Sequence, residues 1–328
     1  MFISVEVLRI LNWVRPVAGF TLHPATAPKT SSKRATTDIL DPRNGIFVIM
    51  SILYPTHHPE RYSFVSTSAG KQSDKKPPPP VDELAWSDEL LRDPHHQKDK
   101  AERVEAMFSA IAPSYDLNNR VHSLWRDQAW RKAAVRFAQL QNGERVLDVA
   151  TGTGDLARAF AREKVSEVVG LDFTQAMLDV AAQKPTPPGT APISYVRGDA
   201  MDLPFEDQTF DVVSIAFGIR NVLDPLKAIS EFHRVLRPGG RCLILEFTLP
   251  RNAVLRAGYN FYFRRILPVT ATLISRDRTG AYRYLPESVN TFINEEQMSG
   301  LMQQAGFKNI ARRRLTLGIA CLYRGLRS

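Results

Sequence analysis

Cysteine is scarce: the 328 residues hold two, Cys242 and Cys321. That excludes a disulfide framework and a zinc module built on Cys-x-x-Cys pairs. Both stand in apolar stretches and read as free core thiols in a reducing compartment. Long hydrophobic runs are missing too. The longest, Ile46 to Tyr54, reaches about half of the ~18 residues a helical bilayer span needs, which excludes an integral helical membrane protein. Acidic residues are thin at both ends. Residues 1–80 carry 10 basic and 5 acidic side chains and residues 251–328 carry 13 and 4, whereas 81–250 carry 20 and 25. The net charge of +9 therefore sits at the ends. The basic C-terminal part could meet a membrane surface, a nucleic acid or an acidic partner, or simply be a solvated face. Nothing is lacking for a core: 44% of residues are hydrophobic and 23% charged, the balance of a soluble globular chain.

Periodicity is absent from the first part of the chain. The region to residue 97 holds the run Pro77 to Pro80 and the Ser/Thr/Lys clusters Lys29 to Thr37 and Lys71 to Lys76. Such a composition predicts a disordered tail and linker. Its first 35 residues contain one acid, Glu6. They read either as a transit segment for the mitochondrial matrix, or as sequence upstream of a true start at Met50 in a cytoplasmic protein. The pairs His57–His58 and His95–His96 lie in this tail without partner ligands, so no metal site is predicted.

From Lys98 the pattern changes. Val104, Met107, Phe108 and Ile111 recur at helical spacing, and Pro113 closes that helix. A second helix is predicted from Trp125 to Leu140. Strands and helices then alternate: strands Arg145–Ala150, Glu167–Leu171, Ile193–Arg197, Phe210–Ala216 and Arg241–Phe247, with helices Asp155–Arg162, Thr174–Gln183 and Pro225–Leu236. This predicts an α/β fold, a mostly parallel sheet covered on both faces. After a helix at Glu295–Ala305, Phe307–Leu315 and Gly318–Arg324 read as a hairpin adding an antiparallel strand. Residues 251–289 form an aromatic- and arginine-rich insertion, predicted helical, within a catalytic domain spanning 98–328.

Val146-Leu147-Asp148-Val149 runs into Ala150-Thr151-Gly152-Thr153-Gly154-Asp155-Leu156-Ala157. A buried strand feeds a glycine turn that opens a helix. Such a turn lets a ligand approach the backbone and offers free N–H groups. The match to G-x-G-x-x-A leaves a dinucleotide site open. Asp172 ends the second strand, where a carboxylate can accept hydrogen bonds from ribose hydroxyls. Asp148 could face a ligand's ammonium group, directly or through water. Asp199 and Ala200, after the third strand, could bind an adenine amino group and supply a backbone N–H.

Together these residues resemble the class I S-adenosylmethionine-dependent methyltransferases. More closely, the chain resembles the ubiquinone/menaquinone biosynthesis C-methyltransferase family. The markers are Met107-Phe108-Ser109-Ala110-Ile111-Ala112-Pro113-Ser114-Tyr115-Asp116, the glycine motif, Phe217-Gly218-Ile219-Arg220-Asn221-Val222, Arg234 to Gly240, Leu245-Glu246-Phe247 and Tyr282-Arg283-Tyr284-Leu285-Pro286-Glu287-Ser288-Val289. The glycine motif is common to many methyltransferases; Phe-Gly-Ile-Arg-Asn and Tyr-Arg-Tyr-Leu-Pro-Glu-Ser are far more specific. The resemblance runs from Lys98 to Arg327. It implies a Rossmann-like sheet, S-adenosylmethionine as methyl donor, and cofactor contacts at Asp148, Gly152, Thr153, Gly154, Asp172, Asp199 and Ala200. Some members have a serine where this chain has Ala216. The run Ala281 to Val289 is closest to menaquinone-type members, so the implied acceptor is demethylmenaquinol, with a methoxy polyprenyl benzoquinol of ubiquinone synthesis as alternative.

The chemistry expected of such a site needs positioning and one proton acceptor. Arg220 stays protonated and can stabilise a developing quinolate, while Asn221 orients a ring oxygen. Glu246 could receive the proton or cap a loop; His122 reads more readily as a structural residue. The segment Leu255 to Ile274 could house a prenyl tail and rest on anionic lipid headgroups as a peripheral membrane contact. A homodimer or a quinone-synthesis complex is a further expected partner. Nucleic acid is not: no Asn/Asp-Pro-Pro-Tyr loop or separate binding module is present. Readings of another class are a non-catalytic scaffold subunit and a nicotinamide-dependent dehydrogenase.

Overall fold

The computed structural model describes residues 83–328. The expectations for the transit segment, the Met50 start and the His57–His58 pair lie outside the described residues, as does the tail up to residue 82. Seven strands form one sheet: β1 Arg145–Val149, β2 Glu167–Asp172, β3 Ile193–Arg197, β4 Phe210–Ala216, β5 Leu236–Phe247, β6 Lys308–Leu315 and β7 Ala320–Leu326. Their order is β3-β2-β1-β4-β5-β7-β6. β1 to β5 pair in parallel, and β7 inserts antiparallel between β5 and β6. The predicted fold class and hairpin are therefore present. The order reverses between β1 and β4, and the C-terminal ends of the strands at such a switch point form a crevice for ligands.

The strands read as they do because both faces are covered. Val146, Leu147 and Val149 of β1 are all fully buried, a near-continuous apolar run suited to a central parallel strand. The helices are α1 Lys100–Ile111, α2 Tyr115–Ser123, α3 Arg126–Ala138, α4 Asp155–Ala161, α5 Gln175–Gln183, α6 Pro225–Val235, α7 Ala253–Phe261, α8 Leu267–Ser275, α9 Ala281–Asn290 and α10 Glu295–Gln304. α6 and α10 contribute Ile229, Phe232, Met298 and Met302 to one sheet face. α3 and α4 contribute Trp130, Ala134 and Phe160 to the other. α6 starts where its sequence says: Asp224 caps it by accepting from Lys227 N–H at 3.0 Å, and Pro225 occupies the first turn.

A third hydrophobic cluster has no strand residue among its buried members and touches the sheet through Phe247 at the end of β5. It joins α1, α8 and α9 through Met107, Ile111, Phe263, Leu267, Tyr282 and Tyr284. Trp86 and Leu91 belong to it, which corrects the placing of residues 83–97 in a disordered tail. Trp86 is fully buried, its ring centroid 4.4 Å from that of Tyr284, and its backbone N–H donates to Thr279 O at 2.8 Å. His95 donates from Nε2 to Ser288 O at 3.0 Å, while His96 turns to Asp93. The segment has no periodicity because it is short and held by isolated anchors. The insertion at 251–289 is helical as predicted. α7 and α8 run into each other through a widened turn at Tyr262–Ile266, because Pro268 has no N–H to donate to the turn before it. Cys242 and Cys321 are buried free thiols.

Candidate active site

Two cavities adjoin at the C-terminal ends of the strands. The smaller, about 120 Å³, is lined from β1 by Val149, Ala150 and Gly152, from β2 by Leu171 and Asp172, and after β3 by Gly198, Asp199 and Ala200. After β4 it takes Ala216, Phe217, Gly218 and Asn221. The larger, about 470 Å³, is lined mainly by aromatic and aliphatic side chains of α1, α2, α3 and α7 to α9. Phe108, Tyr115 and Phe217 line both and form the wall between them.

The smaller cavity rests on constrained backbone. Ala150 and Phe217, the residues just after β1 and β4, both have positive φ, 49° and 59°. Non-glycine residues in that region each cost about 1 kcal/mol or more and gather at ligand sites. Gly218 lies between them, where an added Cβ would sit 2.5 Å from the Ala150 Cβ. Asp172 is pinned by two backbone donors: Gly152 N–H to Oδ2 at 2.7 Å and Thr174 N–H to Oδ1 at 2.9 Å. Burial raises its pKa, and these donors work against that rise. Each carboxylate oxygen retains a lone pair for a further donor.

Of the seven expected cofactor residues, Gly152, Asp172, Asp199 and Ala200 line this cavity. Asp148, Thr153 and Gly154 do not. Asp148 lies beneath the turn, accepting from Thr151 Oγ1 and from Ser214 Oγ, both at 2.7 Å. Its burial pushes its pKa up to about 6 despite those hydroxyls. Thr153 Oγ1 donates to Asp116 Oδ1 at 2.6 Å, and Lys184 Nζ holds the other Asp116 oxygen at 2.5 Å. Gly154 backs onto Tyr195, whose hydroxyl stands 2.4 Å from where a Cβ would be. These three shape the glycine turn from behind. Spacing alone cannot separate residues that line a turn from residues that brace it.

The expected substrate-side residues divide between the cavities. Arg220 lines the larger and Asn221 the smaller. Glu246 lines neither: it is buried and committed to Arg220, whose Nη1 donates to Glu246 Oε1 at 2.8 Å and to Phe217 O at 2.6 Å. Glu246 also accepts from Phe247 N–H at 2.8 Å. It is a positioning group for Arg220. The turn is clamped from its other side by Lys100, whose Nζ donates to Arg220 O at 3.1 Å and Val222 O at 2.8 Å. Burial, then the Arg220 charge, lowers the Lys100 pKa to about 8. Lys100 escaped sequence reasoning because a lysine at the start of an amphipathic helix reads as solvated. Tyr284 donates to Asn221 Oδ1 at 3.0 Å, leaving the Asn221 Nδ2 hydrogens for a ligand oxygen.

The larger cavity carries buried polar atoms without a partner among the described residues: Tyr259 OH, Tyr282 OH, Arg220 Nε and His122 Nε2. Such groups cost free energy unless something else pairs them. Burial raises the pKa of Tyr282 to about 12 and also raises that of Tyr259, so both stay protonated donors. His122 Nδ1 lies 3.1 Å from Tyr262 OH, and burial lowers its pKa, so the ring is neutral near pH 7. Tyr282 opens a motif that the sequence singles out, whereas Tyr259 and His122 carry no such signal, because the elements that hold them meet only in the tertiary fold.

The profile of the ubiE/COQ5 methyltransferase family matches residues 96–327. The ubiquinone/menaquinone biosynthesis C-methyltransferase UbiE of Geobacter sulfurreducens is 46% identical over 230 residues, 69% of this chain and 89% of the relative. The demethylmenaquinone methyltransferase of Deinococcus radiodurans is 44% identical over 230 residues, 70% of this chain and 94% of the relative. Among solved structures, a SAM-dependent methyltransferase of Thermotoga maritima, possibly a histamine N-methyltransferase, aligns with a TM-score of 0.50 at 19% identity, over 68% of this chain and 99% of that one. The [4+2]-cyclase SpnF aligns at 0.51 and 17% identity, over 69% and 95%. Likeness at that level establishes the fold, which hosts more than one chemistry. The profile match and the relatives above 40% identity, together with the site at the strand ends, establish that the chain belongs to the ubiE/COQ5 methyltransferase family.

Proposed function

We propose that this protein methylates a ring carbon of a prenylated quinol with S-adenosylmethionine as donor, demethylmenaquinol being the acceptor and the methoxy polyprenyl benzoquinol of ubiquinone synthesis the alternative. One observation carries the reading. Arg220 and Asn221, adjacent on one clamped turn, line two different cavities that share the wall Phe108, Tyr115 and Phe217. One cavity suits a nucleoside bearing ribose hydroxyls; the other suits an aromatic ring with a long apolar tail. The names of the relatives support the same pairing.

The residues of the smaller cavity fit the donor. The pinned Asp172 offers acceptor lone pairs for ribose hydroxyls, Asp199 and the Ala200 backbone in the same cavity would take the adenine, and the glycine-flanked floor admits a close approach. S-adenosylmethionine supplies an electrophilic methyl group on a sulfonium. The protein's own groups do the rest. Asn221, on the donor side of the shared wall, keeps its Nδ2 hydrogens free for a ligand oxygen where the two cavities meet, which would help hold donor and acceptor in register. Arg220, fixed by Glu246, Phe217 O and the Lys100 clamp, stabilises the negative charge that develops when a phenolic proton leaves. The buried hydroxyls of Tyr259 and Tyr282 pair with quinol oxygens, and the neutral His122, whose Nε2 has no partner among the described residues, can accept a proton; Asp127, which also lines the larger cavity, is engaged by Arg120 and Arg131. In balance, a ring C–H becomes a ring C–CH₃ and one proton is released.

The test is methyl transfer from labelled S-adenosylmethionine to reduced demethylmenaquinone and to the reduced ubiquinone precursor, offered side by side and read by mass spectrometry. Label on the first quinol is the expected result, and label on both means a shared enzyme. Cofactor binding without transfer to either would replace this reading with a non-catalytic scaffold.

A further inference from the structure

Large apolar side chains stand in water at three places around the larger cavity. The first is Leu124-Trp125, between α2 and α3, 80% and 62% exposed. The second is Leu317, 76% exposed, in the short turn Thr316–Gly318 before β7. The third is the outer side of the α7–α8 helix, which exposes Val254, Phe261, Val269 and Leu273. These segments border one opening, because Leu124, Arg126, Tyr259, Tyr262, Thr316 and Ile319 all line the same cavity. Trp130 Nε1 donates to Thr316 Oγ1 at 2.8 Å and ties the second turn to the helix that follows the first.

The backbone makes this exposure harder to dismiss. Leu124, Trp125 and Leu317 have φ of 51°, 60° and 57°. Leu124 terminates α2, a position at which helices favour glycine or asparagine. Each bulky residue there costs about 1 kcal/mol of left-handed strain, and its apolar surface gains nothing from water. The fold holds three such side chains outward at the mouth of an apolar cavity.

Charge indicates what covers them. Residues 251–276 contain five arginines and no acidic residue. Arg126, Arg256, Arg265 and Arg276 are exposed and have no ion pair among the described residues. Apolar side chains interleaved with unpaired arginines are complementary to the boundary between acyl chains and anionic headgroups. Among the described residues no helix is long and apolar enough to cross a membrane; the contact is with a surface.

We propose that this rim is a docking face for an anionic phospholipid bilayer, with Trp125, Leu317 and the outer side of α7–α8 inserted at the headgroup level, so that the larger cavity opens onto the membrane. That the membrane delivers a prenylated substrate rests on the reading under Proposed function; the lipid contact itself does not.

The test floats the full chain with vesicles of phosphatidylcholine alone and of phosphatidylcholine mixed with phosphatidylglycerol. Binding to the mixed vesicles, weakened by salt, is expected. Trp125→Asn/Leu317→Asn tests insertion; asparagine tolerates the left-handed backbone, so unchanged thermal melting should accompany a loss of vesicle affinity of about tenfold or more. Arg256→Ser/Arg265→Ser should lose about fivefold per arginine on mixed vesicles. Methyl transfer to a short-tailed quinol should be unchanged in both double variants. Variants that bind as well as the parent chain would overturn the proposal, because binding would then come from elsewhere, including the basic residues before residue 83. A dimer in sedimentation that the same substitutions dissolve would also overturn it and make the rim a subunit interface. Vesicle binding with no quinol methylation would leave the docking face standing and sink the substrate reading alone.

Discussion

The two cavities were built by different rules. The smaller is made mostly of strand ends and the turns that follow them, four successive units in sequence order, and is closed by Ala101, Val104 and Phe108 of α1 and by Tyr115. The larger is made of helices far apart in the chain, with α2 meeting the turn between α7 and α8 through His122 and Tyr262, 140 residues distant. One offers fixed backbone and a pinned carboxylate. The other is a hydrophobic space with a few polar atoms left unpaired. On the reading proposed above, a donor shared by many enzymes meets the part of the fold they share, whereas the acceptor meets the helices packed over it, those before the sheet and those of the insertion.

That comparison can be broken experimentally. The largest effect is expected from Trp86→Ala. It empties a fully buried position against Tyr284 and should cost about 3–5 kcal/mol in denaturant unfolding. Near-normal stability would return residues 83–97 to the status of a tail. Next is Arg220→Gln combined with Glu246→Gln, so that no buried charge is stranded. Its kcat should fall by about 10²-fold or more while cofactor Kd, by calorimetry, stays put. A Kd that moved equally would mean that the turn serves only to bind the donor.

Asp172→Asn should do the converse, raising the cofactor Kd about tenfold through the loss of charge-assisted hydrogen bonds. Unchanged binding would remove the ribose assignment. Tyr259→Phe and Tyr282→Phe should each raise the quinol KM by about fivefold, the scale of one hydrogen bond. If KM is unmoved, those hydroxyls do not meet the substrate. The smallest effect concerns pH. Burial, then the Lys100 charge, lowers the His95 pKa from 6.5 to about 4. The unfolded chain therefore binds the proton first, and this contribution to stability is full above pH 6.5 and is lost as pH falls toward 4. Asp148, raised to about 6, acts with opposite sign, so the readout is the difference between the parent chain and His95→Gln. Parallel melting curves across that window would show that His95 does not couple to folding.

The strand–helix alternation from Arg145 onward was legible because each element has one period and one buried pattern, and the boundaries agree to within a few residues except at β5, which begins five residues earlier than Arg241. The glycine turn and Asp172 were legible for the same reason: strand end, turn and helix start are local. The turn's bracing was not. Asp148, Thr153 and Gly154 share their spacing with true cavity residues, and only the partners Ser214, Asp116 and Tyr195, brought by other elements, separate them.

By itself, then, the sequence determined the parallel sheet, the antiparallel hairpin, the glycine turn and the two residues of the Arg220–Asn221 turn, since all of these follow from local periodicity and short motifs. The tertiary structure decided that Glu246 holds Arg220 instead of facing a substrate, that Lys100 clamps the same turn, that Trp86 is core, and that Leu124, Trp125 and Leu317 surround one opening. The physical reason is common to all four. A side chain's environment is set by what other elements bring against it, and burial, pairing and exposure are properties of that meeting rather than of the residue.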